Sequence, residues 1–155
     1  MGPLNKMLCE LTMKLIPSSK YMDCINLAKH SMAPYYEESG IEWKNDERLS
    51  AYQKCELFEV VGEIPFGFLL LRINASELYI GDLQVLPEHQ RKGVGTYAIE
   101  KAVELAKSRG FGKVKLKVFK SNPAKNLYIG CGFSIVAEEP HILEMELDTN
   151  PASWT

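Results

Sequence analysis

The chain has 155 residues, 46% of them hydrophobic and 25% charged, with a formal net charge of −2 and a pI near 6.0. That length suits one domain and that apolar content fills a core, while the slightly acidic balance excludes the basic face by which a nucleic-acid binder holds phosphates. No stretch approaches the ~20 apolar residues that span a bilayer, and the N-terminus lacks a signal-peptide pattern, so the expectation is a cytoplasmic protein with neither a nucleic-acid nor a membrane partner.

A single domain is expected over residues 11–147, between an N-terminal segment, 1–10, and a loose tail, 148–155. Leu11 to Ile16 alternates as a half-buried strand does, and Pro17-Ser18-Ser19 ends it ahead of a helix over Tyr21 to Met32. Pro34 is expected to break the chain, and Tyr35 to Leu49 reads as an acid-rich segment holding a second short helix. Cys55 to Val61, Phe66 to Ile73 and Leu78 to Leu86 are strand-like runs separated by the turns Gly62-Glu63-Ile64-Pro65 and Asn74-Ala75-Ser76, which predicts an antiparallel meander. Thr96 to Arg109 is amphipathic, with Val94, Ala98, Ala102, Leu105 and Ala106 on one side, and Gly110 stands where a left-handed cap belongs. Val114, Leu116 and Val118 alternate with Lys115 and Lys117; a strand, helix and strand in sequence predict a right-handed crossover with parallel strands. Asn122 to Ile129 follows as a short helix with Pro123 at its first position, and Phe133 to Ala137 and Ile142 to Leu147 are the last strands.

Cys9, Cys24, Cys55 and Cys131 lack any metal-ligand spacing, and His30, His89 and His141 are scattered. Reduced thiols and no metal are therefore expected. The lysines at 113, 115, 117, 120 and 125 read first as a solvated strand face.

The most informative segment is Gln90-Arg-Lys-Gly-Val-Gly95, at the junction of an apolar strand and an amphipathic helix. The first turn of a helix has backbone N–H groups without intrahelical partners and the positive end of the helix dipole, so a diphosphate is stabilised there without specialised side chains. Gly93 and Gly95 let phosphate oxygens approach the main chain. Gly93-Val94-Gly95-Thr96-Tyr97-Ala98 formally fits a dinucleotide fingerprint, but the turn from the strand is long and lysines replace the ribose-binding acid; a P-loop fails for want of Gly-Lys-Ser/Thr.

Gln90, Gly93 and Gly95, together with the block Asn122-Pro-Ala-Lys-Asn-Leu-Tyr128 and Gly132-Phe133, resemble the signatures of the GCN5-related N-acetyltransferase (GNAT) superfamily. The resemblance runs from about Leu11 to Leu147. It implies an α/β (α+β) fold, a mixed, mostly antiparallel seven-stranded sheet flanked by helices, with a β-α-β core for acetyl-coenzyme A. It also implies that the backbone of Gln90, Arg91, Lys92, Gly93, Val94, Gly95 and Thr96 holds the pyrophosphate. The main chain of Leu83, Gln84 and Val85 would pair with the pantetheine arm like an added strand, Asn122 would bond that arm, and Lys125 or Lys120 would meet the 3′-phosphate.

Acetyl transfer to an amine needs a neutral nitrogen, a polarised thioester carbonyl and a proton for the departing sulfur. On the resemblance, Tyr128 is the general acid; its competing role is to pack in the core with Phe133. The Val85 N–H is the expected oxyanion donor. Asp82 is the candidate base or amine binder, and a structural partnership is an equal alternative, since a carboxylate inside an apolar strand must be paired, hydrated or facing a cleft. Tyr79 and Glu77 are further candidates. Tyr35, Tyr36, Glu37, Glu38 and Trp43 are expected at the acceptor groove, where acids and aromatics suit a cationic or aromatic amine; an exposed helix face packed by its aromatics is the plainer alternative. Cys131 is a poor nucleophile, because the resemblance implies direct transfer in a ternary complex. The expected function is acetyl-coenzyme A-dependent transfer to a primary amine on a small molecule or peptide. The alternative is a non-catalytic acyl-coenzyme A sensor of the same fold. A homodimer is neither required nor excluded, and the acceptor and acyl preference stay open.

Overall fold

The computed structural model describes residues 13–150. In chain order the elements are strand β1 (Lys14–Pro17), helices α1 (Tyr21–Ser39) and α2 (Asn45–Gln53), strands β2 (Glu56–Val61), β3 (Pro65–Ile73) and β4 (Leu78–Val85), a 3-10 turn (Pro87–His89), helix α3 (Val94–Ser108), strand β5 (Lys113–Phe119), helix α4 (Ala124–Gly130), and strands β6 (Ser134–Glu138) and β7 (Ile142–Asp148). The strands form one sheet in the order β1-β2-β3-β4-β5-β7-β6. All neighbours are antiparallel except β4 and β5, the parallel pair that the strand-helix-strand run predicts.

The near-continuous apolar run of β3 follows from burial on both faces. Leu69 and Leu71 point into a core shared with Val94, Ala98, Ile99, Ala102 and Ala106 of α3. Phe68 and Leu70 point the other way, into a second core with Cys24, Ile25 and Ala28 of α1 and Tyr52 of α2. The helices thus cover opposite faces, and the lysines of β5 stay at the surface. Lys113 pairs with Glu146, Lys115 with Glu77 and Glu146, and Lys117 with Glu139 and Glu144. Neutralised in this way, the basic cluster presents no free phosphate-binding face, and such exposed pairs each contribute ~0–1 kcal/mol.

Three expectations need correction. Pro34 does not break the chain: α1 runs through it to Ser39. An internal proline costs about 3 kcal/mol, but the turn beyond it is anchored by Tyr35 and Tyr36, whose rings lie 5.9 and 5.4 Å from that of Phe119. The true stop is Gly40 at φ 68°, where Gly40 N–H bonds Glu37 O and Ile41 N–H bonds Tyr36 O, the paired bonds of a left-handed helix cap. Residues 35–39 therefore belong to the first helix, and the second begins only at Asn45. The C-terminal segment is not loose at its start either. Asp148 ends β7, and Thr149 is buried, its N–H on Gly112 O at 2.9 Å and its hydroxyl on Phe111 O at 2.6 Å. The N-terminal segment 1–10, the first two residues of the expected opening strand, and 151–155 lie outside the described residues.

Candidate active site

The site begins with a fault in the sheet. β3 and β4 slip register between Leu70, opposite Asp82, and Leu71, opposite Ile80, which leaves Gly81 as an extra residue on β4. A bulge bends and twists its strand. At the same place the parallel pairing ends: β4 meets β5 only at Leu78, Tyr79 and Ile80, while β5 runs on beside β7 to Phe119. Residues 82–85 therefore keep their pairing with β3 and, among the described residues, have no strand on the other side. A cleft of about 780 Å³ opens there, within the ~300–1,000 Å³ typical of small-molecule sites.

At one end of the cleft lies the start of α3. Gly93, at φ 84°, is its N-cap, no side chain caps it, and the first helical bond runs from Tyr97 N–H to Gly93 O. The amides of Val94, Gly95 and Thr96 thus precede the helix's first bonded donor, with the dipole's positive end behind them. Arg91 also has positive φ, 63°, and the Gln90 amide ties the loop to Val85 O at 3.1 Å. This is a built anion cradle, and the charge and backbone it offers fit a diphosphate. Gly95 has an added constraint: a Cβ there would stand 2.8 Å from Leu127 Cδ2, so the glycine also lets α4 close against α3.

α4 supplies the side wall. Asn122 Oδ1 accepts the Ala124 N–H at 2.9 Å, and its amide donates weakly to Met32 Sδ at 3.9 Å. Tyr128 is 7% exposed, packs edge-on against Phe133 and lines the cleft. Both expected roles are thus compatible in one residue. No described residue bonds its hydroxyl. Burial, then the Asp82 charge and Cys131, push its pKa up, so the phenol keeps its proton throughout the neutral range.

On the floor, Asp82 is bound by two side chains: the Tyr52 hydroxyl donates to Oδ2, and the Gln84 amide donates to Oδ1 at 2.9 Å. Burial pushes the Asp82 pKa up, and the bonds from Tyr52 and Gln84 and the charge of Arg48 pull against it. Tyr52, almost wholly buried, is pushed up in turn by burial and by Asp82. A carboxylate with a raised pKa, held in orientation and facing a cleft, is a group suited to accepting a proton.

Of the predicted residues, Asp82, Leu83, Gln84, Val85, Gln90, Arg91, Gly93, Gly95, Thr96, Asn122 and Tyr128 line this one cleft, joined by Tyr35 and Tyr36. Others stand elsewhere. Val94 is buried beneath the loop, Lys125 Nζ bonds Lys120 O at 2.7 Å, and Lys120 pairs with Glu138. Glu77 is taken by Lys115, and Tyr79 packs under Arg72. Glu37 and Glu38 are exposed, and Glu38 accepts from Ser121. Trp43 supports the wall from behind, its ring 4.9 Å from that of Tyr36. Tyr52 and Arg48 were not predicted. Both lie on α2; Arg48 falls in the acid-rich segment expected to hold a short helix and Tyr52 just beyond it, and only the spacing Leu49, Tyr52 hints at an inward face.

One cleft thus brings together an open β4 edge, an uncapped helix start, a protonated phenol and a buried carboxylate. Residues 20–133 match the model of the acetyltransferase (GNAT) family, and the chain belongs to that family. It is 33% identical over 70 residues to mouse thialysine N-epsilon-acetyltransferase, covering 44% of this chain and 41% of that protein. The chain spans less than half the length of the curated relatives it matches. The fold is shared with a PaiA N-acetyltransferase from Thermoplasma acidophilum solved with coenzyme A (TM-score 0.71, 19% identity, 88% of this chain and 98% of that one). It is shared equally with Ard1 from Thermoplasma volcanium (TM-score 0.71, 18% identity, 88% and 97%). No described helix is long and apolar enough to cross a membrane.

Proposed function

We propose that the protein moves an acetyl group from acetyl-coenzyme A to a primary amine by direct transfer within a ternary complex. The observation that carries this reading is the coincidence of the β4 edge, open from Gly81, with the uncapped start of α3: one extended ligand with a diphosphate satisfies both. Acetyl-coenzyme A supplies an activated acyl group and a thiol leaving group. The amides from Gln90 to Thr96 receive its phosphates, the main chain of Leu83 to Val85 pairs with its arm, and the remaining Asn122 N–H donates to it.

The division of proton work follows from the environments. Asp82 Oδ1 or Oδ2, oriented by Gln84 and Tyr52, accepts the proton of the incoming ammonium, directly or through water. Tyr128 Oη, kept protonated by burial, donates toward the departing sulfur. The Val85 N–H is the donor for the developing oxyanion. Tyr35 and Tyr36 wall the acceptor end.

The test is thiol release from acetyl-coenzyme A with a panel of amines, for the parent and Tyr128→Phe. The phenylalanine keeps the ring packing against Phe133, so the expected result is near-parental acetyl-coenzyme A affinity with kcat reduced by ~10²–10⁴, the usual worth of general acid-base catalysis. Tight binding without turnover on any amine would favour the non-catalytic sensor instead.

A further inference from the structure

Arg48 is a charged group on the cleft that the transfer reaction does not use. It projects from α2, partly buried, with its guanidinium 3.9 Å from the centre of the Trp43 ring and 5.2 Å from that of Tyr36. Trp43 is itself fixed, since its indole N–H donates to Asn45 Oδ1 at 2.8 Å. A guanidinium laid on an aromatic face has its N–H donors in the plane, away from the ring. Those donors meet no carboxylate of the described residues within ion-pair distance, although nearly every lysine of the neighbouring sheet face has one. Arg48 is close enough to Asp82 to oppose the rise in that residue's pKa, yet Asp82 spends its oxygens on Tyr52 and Gln84.

Resting on the transferase reading above, we propose that Arg48 is the docking point for a carboxylate on the acceptor, so that the acceptor is a small amine bearing a carboxylate, of the amino-acid class. The arrangement matches a zwitterion: Asp82 meets the amine, and the guanidinium, with two parallel donors, meets the acid. One rigid monocation suits a monoanion. A phosphate would call for more positive charge; of the other cations on the cleft, Lys117 is committed to Glu139 and Glu144, and Arg91 stands apart, in the loop before α3. The acids of residues 37–42, expected to select a plain cation, do not reach the cleft.

The experiment titrates the coenzyme A-loaded protein in a calorimeter with L-amino acids, each beside its carboxamide, which keeps the amine and removes the anion. The expected result is that at least one acid binds about ten- to a hundredfold more tightly than its amide, the range for a hydrogen-bonded charged pair. In Arg48→Gln that ratio falls to near one, the acid losing far more affinity than the amide, and Arg48→Lys, with the charge but not the fork, lies between. A purely structural role, or a role only in balancing Asp82, would weaken acid and amide alike and overturn the proposal, as would equal binding of every pair or no binding of any acid. Thiol release measured on the same pairs keeps the two readings apart: selective binding without release refutes transfer and upholds Arg48, and release with an amide preference does the reverse.

Discussion

Replacing Tyr52 by Phe removes one hydroxyl from the Asp82 carboxylate and little else. The ring is 2% exposed and packs 6.2 Å from that of Phe68, contacts that Phe retains. The hydroxyl's bond favours the ionised carboxylate, opposing the burial that dominates the rise in its pKa. A hydrogen bond to a charged group contributes about 1.5–3 kcal/mol. At ~1.4 kcal/mol per decade, its loss lowers the ionised fraction of Asp82 by roughly ten- to a hundredfold at any pH below its titration. If Asp82 is the base, kcat at saturating acetyl-coenzyme A and acceptor should follow that fraction. The assay is thiol release from pH 5 to 10. Tyr52→Phe should move the rising limb to higher pH and return to within a few-fold of the parental rate on the plateau, with KM for acetyl-coenzyme A unchanged. A uniform fall in kcat at every pH, or a limb that does not move, would refute the role of Asp82 as the titrating base.

Asp82→Asn should abolish the same limb, and it should also change stability in a pH-dependent way. Because the folded pKa is raised above the unfolded one, parental stability falls as pH rises through the window between them, and urea midpoints for the variant should lack that fall. Gly93→Ala places a side chain at φ 84°, so unfolding free energy should drop by about 1–2 kcal/mol, and acetyl-coenzyme A affinity should weaken in calorimetry. Gly95→Ala meets only the mobile end of the part-exposed Leu127; stability within about 1 kcal/mol of the parent is expected in the same denaturation series. Leu71→Ala empties a wholly buried position and should cost about 2–5 kcal/mol.

The fold was legible because its signals are local. Turn residues separate the meander strands, α3 shows a clean apolar face, and Gly110 caps it at φ 78°. The uncapped start of α3 was legible for the same reason: six consecutive residues, 90–95, signal it. What failed were places where contacts distant in sequence outweigh local preference. Pro34 signals a break, and contacts with Trp43, Arg48 and above all Phe119, 85 positions downstream, hold the turn beyond it.

Tyr35 and Tyr36 do line the cleft, but which charge lies beside them was hidden for a deeper reason. Acidity in the stretch after Pro34 predicted its charge, yet which of those side chains faces the sheet depends on where α1 stops and how α2 is rotated. Once α1 continues to Ser39, Glu37 and Glu38 are carried to the outside, and the second helix starts late enough to bring Arg48 to the cleft and Tyr52 beneath Asp82. Among residues 35–49 the charge that lines the cleft is therefore that of Arg48 and not that of the acids. The bulge at Gly81 acts similarly on β4. It places Asp82 opposite Leu70 on the face of Tyr52 and ends the pairing with β5, so one extra residue in a strand both opens the cleft and delivers its carboxylate. Deleting Gly81 should restore regular pairing and abolish acetyl-coenzyme A binding even where the protein stays folded.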